Sequence, residues 1–114
     1  MADAEDVRRI ALSLPEAVEK LAWGMPSFRV HGKSFAWLAE DAASISVKCP
    51  MLDRDELIAA EPEKFFIRRG HDDNFAWVRV RLAAVEDVGE LRAILLDSWR
   101  QAAPRQLAAS YEDG

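Results

Sequence analysis

The sequence predicts an α+β fold, in which a mainly antiparallel five-stranded sheet has helices packed on one face. The first observation behind this prediction is the order of the predicted elements, α-β-β-β-α-β-β-α-α. Strands follow strands instead of alternating with helices, and this order is typical of antiparallel sheets. The second observation is the composition, since half of the 114 residues are hydrophobic. Such a chain can form one core without a metal or a disulfide, so we expect residues 1–114 to be a single domain.

Residues 4–14 are predicted to form the first helix. Asp3 precedes them with a side chain that can cap the helix N-terminus, and Pro15 follows the last turn. Hydrophobic residues at i, i+3, i+4 and i+7 form one stripe along this helix, made of Val7, Ile10, Ala11 and Leu14. Residues 15–21 are expected to be a connector that leads into the sheet.

Three strands are predicted next, and the first two form a hairpin. They cover residues 27–30 and 34–38, and His31-Gly32-Lys33 forms the turn, where Gly32 can adopt the positive φ that a tight turn needs. The third strand covers residues 44–49, in which polar and hydrophobic residues alternate. The alternation also places Cys49 on the buried side, as a small hydrophobic group rather than a nucleophile.

A second helix and a second pair of strands are predicted in the middle of the chain. The helix is expected to begin at Asp53, because Glu56 follows at the spacing of a capping box, and to end before Pro62. The strands cover residues 65–68 and 75–82 and are joined by a loop rich in turn-forming residues. We expect these strands to pair as a second hairpin.

The third helix is predicted to begin at Asp87, with Glu90 again at capping-box spacing. Its hydrophobic face consists of Val88, Leu91, Leu95, Trp99 and Ala102. Pro104 stops this helix and can start a short last one, because proline is tolerated in the first turn. Residues 112–114 are expected to fray.

The net charge of −5 is unevenly distributed along the chain. Residues 1–25 carry a charge of −2 and residues 82–114 carry −3, whereas residues 26–81 hold nine basic and nine acidic residues. The acidic excess therefore lies in the terminal helices. It argues against duplex DNA binding over the whole surface, because phosphate contacts supply most of such binding, but it does not exclude one basic face.

The sequence has no features of a membrane protein or an exported one. No hydrophobic run approaches the ~20 residues that a membrane span needs. The N-terminus is acidic, whereas a signal peptide begins with basic residues. Cys49 is the single cysteine, which agrees with a reducing compartment. We therefore expect a cytoplasmic protein without a membrane partner.

The last predicted strand carries the strongest candidate for a binding surface. Alternation assigns Trp77, Arg79 and Arg81 to the side away from the helices. The same rule turns Arg29 and Lys48 to that side, and basic groups beside an aromatic ring suit phosphate contact combined with base stacking. With the hairpin tips included, the predicted nucleic-acid contacts are Arg29, Lys33, Lys48, Arg68, Arg69, Trp77, Arg79 and Arg81.

Other interpretations of these residues remain open. Charged side chains on the exposed side of an antiparallel sheet are often only its solvated surface, and Arg79 and Arg81 can pair with acids across strands. The four tryptophans of the chain either pack mostly in the core or, in the case of Trp23, Trp37 and Trp77, line an aromatic pocket.

Several segments of the chain carry a resemblance to a known family. Residues 23–30 read WGMPSFRV and residues 32–38 read GKSFAWL. The other matching segments are SVK at 46–48, WVRVRL at 77–82, and SWR at 98–100 before Ala103-Pro104. These segments make the sequence similar to the MmcQ/YjbR family. The resemblance implies a fold related to the frataxin/CyaY-like α/β sandwich and DNA binding through a double-wing arrangement of hairpins, without a catalytic motif.

The sequence contains no recognisable motif for catalysis, a cofactor or a metal. It lacks GxSxG, P-loop and HExxH patterns, and His31, Cys49 and His71 do not have metal-ligand spacing. We therefore predict a non-enzymatic protein without a cofactor that binds double-stranded DNA through its hairpins and its basic sheet face. The alternative is a module that binds another protein or a small ligand and has no nucleic-acid partner.

Overall fold

The computed structural model describes residues 2–111 of the chain. Within them the α-helices are α1 (Ala4–Ser13), α2 (Met51–Ala60), α3 (Val88–Ala102) and α4 (Arg105–Ser110). The strands are β1 (Ala17–Ala22), β2 (Met25–Val30), β3 (Lys33–Leu38), β4 (Ser44–Lys48), β5 (Phe65–Phe66) and β6 (Trp77–Arg81). A short 3-10 turn, Leu82–Ala84, leads from β6 toward α3.

All of these strands belong to one antiparallel sheet with the order β1-β2-β3-β4-β6-β5. α3 packs on β2, β3 and β4, and α1 packs on α3 and β1, so these two helices cover the same face. α2 lies against β5 and β6. The predicted α+β class with an antiparallel sheet is confirmed, and the sheet in residues 2–111 has six strands where five were expected.

The additional strand is β1, so the prediction of a connector over residues 15–21 is wrong. β1 pairs with β2 along its whole length and forms one edge of the sheet. Val18 and Leu21 in this strand are 50% and 76% exposed. Because neither side of β1 is buried, its sequence lacks the alternation of hydrophobic and polar residues that predicts the other strands.

Two-residue turns join the first three strands. Trp23-Gly24 connects β1 to β2 with φ values of 55° and 76°, and His31-Gly32 connects β2 to β3 with φ values of 50° and 81°. Positive φ at both central residues is typical of the type I′ hairpin turn, whose twist matches that of the sheet. The expected three-residue turn is corrected accordingly, since Lys33 is the first residue of β3.

The hydrophobic core lies between the sheet and the layer of α1 and α3. Trp99, Phe28 and Phe35 are its largest fully buried side chains. The fully buried hydroxyl of Ser98 donates a hydrogen bond to the Phe35 carbonyl at 2.5 Å and accepts one from the Lys48 amide at 2.9 Å. These bonds join α3 to the two central strands, β3 and β4, and they fix the helical layer over the sheet.

The ends of the helices follow the capping predictions in part. Asp3 and Asp87 cap α1 and α3 as predicted, each with a side-chain oxygen that accepts a backbone N–H of the first turn. α2 begins earlier than expected, directly after Pro50, and Asp53 lies inside its first turn. The capping box predicted at Asp53 is therefore wrong. Pro50 has a φ of −55° and no N–H of its own, so the helix can start immediately after it.

The second antiparallel pair, β5 and β6, is present but shorter than the predicted strands over 65–68 and 75–82. Arg68, predicted in a strand, lies instead in the segment 67–76 that connects them. The Arg68 amide donates to the Asp72 side chain and the Arg68 carbonyl accepts the amides of His71 and Asp72, so both backbone groups are used within a turn instead of a strand ladder. The predicted fraying of residues 112–114 lies outside the described residues.

Candidate binding site on the open face of the sheet

We call the face of the sheet opposite α1 and α3 the open face. Directly paired residues of antiparallel strands point to the same side, so the register of the strands assigns residues to it. One row of paired residues crosses five strands on this face and consists of Ser27, Trp37, Ser46, Arg79 and Phe66. The neighbouring Val47 and Val80 point the other way and are buried beneath the helices.

Every charged side chain that the described strands place on the open face is basic. These side chains are Lys20, Arg29, Lys48, Arg79 and Arg81. Glu19 is the only acidic residue in the described strands, and it is paired with Phe28 on the helix side, where its carboxylate accepts a hydrogen bond from Arg8 at 2.9 Å. The sheet therefore presents a basic surface on a chain whose net charge is −5.

Three of these cations lie over aromatic rings of a neighbouring strand. The pairs are Arg29 with Trp37 at 5.8 Å, Lys48 with Trp77 at 5.2 Å and Arg81 with Phe66 at 4.0 Å, measured from the charged group to the ring centroid. Cations are attracted to ring faces by the negative potential there. The rings hold these side chains against the sheet without neutralising their charge.

Arg79 differs from the other cations because it is paired with an acid. Its Nε lies 2.6 Å from Asp72 Oδ2 and its Nη2 lies 3.2 Å from Oδ1. The same carboxylate accepts the Arg68 amide at 2.8 Å and contacts His71 Nδ1 at 2.8 Å. Partial burial raises the pKa of Asp72, but these hydrogen bonds outweigh it and hold that pKa well below its usual value. Asp72 therefore remains ionised and neutralises Arg79.

Arg54 holds the segment 67–76 in place from α2. Its buried guanidinium donates from Nη1 to the carbonyls of Asp72 at 3.0 Å and Phe75 at 2.8 Å, and from Nη2 to the carbonyl of Asp73 at 3.2 Å. A backbone segment tied at three carbonyls has few alternative conformations. Arg54 is a positioning residue that sequence reasoning missed, because nothing in its local pattern distinguishes a buried arginine from an exposed one.

An aromatic cleft of about 790 Å³ lies on the open face. Its aromatic lining consists of Trp23, Trp37, Phe66, Phe75 and Trp77. The Trp23-Gly24 turn borders it on one side and the segment 67–76 on the other. Glu40 and Asp41, from the loop after β3, and Arg68 also line it. The structure thus brings together the three tryptophans of the predicted aromatic pocket, whereas Trp99 lies in the core.

The rim of the aromatic cleft is formed by unusually exposed aromatic side chains. Trp23 is 88% exposed and Phe75 is 59% exposed. Trp23 also has a φ of 55°, a conformation that bulky residues rarely adopt and that Asn or Gly adopts far more readily. Strain of this kind clusters at functional sites, so the exposed indole marks the rim as a candidate contact surface.

The remaining predicted contacts lie around this surface rather than within it. Lys33 pairs with Val30, whose side chain faces the core, so Lys33 leaves the tip of the hairpin on the helix side. Arg68 and Arg69 are exposed in the segment 67–76, and Arg68 reaches the aromatic cleft. The structure thus brings five of the eight predicted residues together on the strands of the open face: Arg29, Lys48, Trp77, Arg79 and Arg81.

Metal binding and the reactivity of the cysteine are two further properties that bear on the chemistry of this chain. Residues 2–111 contain no group of three or more His, Cys, Asp or Glu side chains that could hold a metal ion. Cys49, directly after β4, is buried, and its burial, with the charges of Asp53 and Asp97, raises the pKa of the thiol to about 11. The thiol is therefore protonated at neutral pH. None of the described helices is both long and hydrophobic enough to cross a membrane.

Comparison with known proteins gives a family and a fold. A family model for YjbR proteins matches residues 12–101. Among solved structures, the crystal structure of the Deinococcus radiodurans protein DR2400, which carries the domain DUF419, is similar with a TM-score of 0.71 and 23% sequence identity. That similarity covers 89% of this chain and 78% of the other. No curated protein matches the sequence.

Proposed function

The chain belongs to the YjbR family, and from this premise we propose that it is a non-catalytic protein that binds nucleic acid on the open face. The sign of the charges is the observation that carries the proposal. The charged side chains that the strands place on this face are basic, whereas the net charge of the chain is −5. Phosphates are attracted to such a face, and phosphate contacts supply nearly all of non-specific binding.

The proposed phosphate contacts are the basic groups of the open face that form no ion pair with an acid among residues 2–111. Arg29, Lys48 and Arg81 are held over rings and keep their positive charge. Arg79 has a supporting role instead, because its pairing with Asp72 fixes one border of the aromatic cleft. Arg68 and Arg69, in the loop between β5 and β6, extend the basic surface, whereas Lys33 adds a cation at the tip of the β2–β3 hairpin on the helix side. Cations at both hairpins suit the double-wing arrangement of the family.

We also infer that the protein is non-catalytic and cytoplasmic. A non-catalytic role is supported by the protonated state of Cys49, which would otherwise be the most reactive nucleophile of the chain. A cytoplasmic location agrees with an unpaired, buried thiol and with a nucleic-acid partner.

Fluorescence anisotropy of a labelled random DNA duplex tests the proposal. We expect a Kd of roughly 10⁻⁴ to 10⁻⁶ M that weakens steeply between about 50 and about 200 mM salt. Lys48→Glu should weaken binding, and losing one phosphate contact should lower the slope of log Kobs against log salt by about one. Arg105→Glu on α4 is the matched control, because it makes the same charge change on the helical layer.

Equal loss of binding in the two variants would overturn the assignment to the open face, because it would reflect net charge alone. Absence of binding at about 50 mM salt and about 100 µM protein would remove general nucleic-acid affinity from the proposal.

The acids of the aromatic cleft favour a second candidate, a protein that binds a small ligand or another protein without nucleic acid. Glu40 and Asp41 are exposed in the lining and would repel a phosphate placed beside them. This candidate predicts quenching or shifting of tryptophan fluorescence by a non-nucleic-acid ligand. It becomes the better account if the duplex titration finds no binding.

A further inference from the structure

We propose that the aromatic cleft holds an unpaired nucleobase, so that the protein prefers single-stranded nucleic acid to duplex. The inference rests on the proposed function and names the form of nucleic acid that the site takes. A cleft of about 790 Å³ lies within the range of ~300–1,000 Å³ that is typical of pockets for compact ligands. It can accept a base, while the attached backbone remains outside.

The arrangement of rings and cations selects the kind of ligand. Trp37, Trp77 and Phe66 line the aromatic cleft, whereas the cations over these rings are not part of its described lining. Each ring therefore contacts a cation and also contributes to the lining of the cleft. A positive charge already in contact with a ring makes that ring a poor site for a second cation and a good one for an electron-rich flat group. A nucleobase is such a group, and a quaternary ammonium ion is not.

The rim provides stacking surfaces from both sides of the aromatic cleft. Trp23 stands on the β1–β2 turn and Phe75 on the segment 67–76 beside β6, so these rings approach the cleft from opposite edges. Stacking on aromatic side chains is sequence-tolerant because every base has a flat π-face. The exposure of both rings, 88% and 59%, is explained if a base covers them in the complex.

The acidic residues of the lining fit a base better than a phosphate. Glu40 and Asp41 come from the loop after β3, and the cationic pairs lie on the strands. Carboxylates accept hydrogen bonds from the amino groups on the edges of bases. The edge of an unpaired base inside the cleft would therefore form hydrogen bonds with Glu40 and Asp41. The phosphates of the attached backbone would contact Lys48 and Arg29 outside the cleft.

A duplex cannot use the aromatic cleft in this way. Its bases are paired and stacked on one another, and a base must be unpaired or turned out of the helix before it can stack on a protein side chain. Duplex DNA could contact the cations of the open face but would leave Trp23 and Phe75 uncovered. Preference for a single strand is thus the property that separates this inference from binding by charge alone.

Anisotropy titrations of the full chain with a labelled, non-self-complementary single strand of about 12 nucleotides, and with the same strand as a duplex, test the inference. The diagnostic variant is Trp23→Asn, because Asn suits the positive φ of this turn and the fold is retained while the ring is lost. The control is Leu21→Asn, which removes an exposed hydrophobic side chain on the helix side of the same hairpin. A nucleoside monophosphate serves as competitor, to distinguish a strand from a free nucleotide.

We expect the wild type to bind the single strand at least about 5-fold more tightly than the duplex. Trp23→Asn should weaken single-strand binding by roughly 5- to 150-fold, the range for one stacked base, and leave duplex binding unchanged. Leu21→Asn should have no effect.

Equal affinity for both forms, with no effect of Trp23→Asn but weakening by Lys48→Glu, would overturn this inference and leave the proposed function standing. Displacement of the strand by an equal concentration of monophosphate would overturn it in favour of a free nucleotide, and absence of all binding would overturn both proposals.

Discussion

Arg79 and Asp72 form a two-point ion pair at the border of the open face, with Nε 2.6 Å from Oδ2 and Nη2 3.2 Å from Oδ1. The same carboxylate accepts the amide of Arg68. The Asp72 side chain therefore joins β6 to the segment 67–76 and neutralises Arg79. From the alternation of the sequence alone, Arg79 was expected to be free to bind phosphate. The border of the aromatic cleft depends on this pair.

Replacing Asp72 by asparagine should destabilise the protein. The substitution leaves the largely buried guanidinium of Arg79 without a counter-charge, and we expect the free energy of unfolding to fall by about 2–3 kcal/mol. Urea denaturation followed by tryptophan fluorescence measures this change. Asp73→Asn is the control in the same segment, since the Asp73 side chain is exposed and, among the described contacts, accepts only the Gly70 amide. A similar loss in both variants would contradict a specific role of the ion pair.

The pH dependence of stability should report the same pair. The pKa of Asp72 is lower in the folded protein than its usual value, so the ionised group adds stability above about pH 4, and this contribution is lost as the pH falls further. The difference in unfolding free energy between wild type and Asp72→Asn should therefore be largest near neutral pH and shrink toward about pH 2. Urea denaturation repeated over this pH range measures it. A constant difference would mean that the stability does not come from the carboxylate charge.

Removing the guanidinium of Arg54 should loosen the segment 67–76 more than the rest of the molecule. Arg54→Met leaves the carbonyls of Asp72, Asp73 and Phe75 without their donor, and we expect a loss of about 2–4 kcal/mol in unfolding free energy. Hydrogen exchange by mass spectrometry should show faster exchange in 67–76 than in α3. The control is Arg69→Met, an exposed arginine of the same segment. Uniform acceleration over the whole chain would indicate a global effect and contradict local anchoring.

Trp23→Asn should stabilise the fold even though it removes a large side chain. The indole is 88% exposed and contributes little burial, whereas the φ of 55° is costly for tryptophan and suited to asparagine. We expect the unfolding free energy to rise by about 1 kcal/mol, measured by urea denaturation with circular dichroism. A decrease of similar size would show that the ring is needed for packing rather than for contact with a ligand.

Alternation was sufficient to predict much of the open face from the sequence. It assigned Arg29, Lys48, Trp77, Arg79 and Arg81 to one surface, and the register of β2, β4 and β6 places them there. It failed for β1, because an exposed edge strand needs no alternation. It also could not show which arginines are paired, since the acid that binds Arg79 comes from a loop and Arg54 acts through backbone carbonyls.

The four tryptophans divide into two groups that probe the site directly. Trp23, Trp37 and Trp77 line the aromatic cleft. Trp99 is fully buried on the other side of the sheet, where its indole N–H donates to the Pro15 carbonyl at 3.1 Å. The indole N–H signals of one protein therefore contain both the reporters of the site and an internal control.

The most direct test of nucleic-acid binding on the open face is an NMR titration of these indole signals with the single strand of about 12 nucleotides. We expect the signals of Trp23, Trp37 and Trp77 to shift on binding and the signal of Trp99 to remain unchanged. Binding that shifts none of the three cleft signals, or that shifts Trp99 as much as they do, would contradict the assignment of nucleic acid to this face.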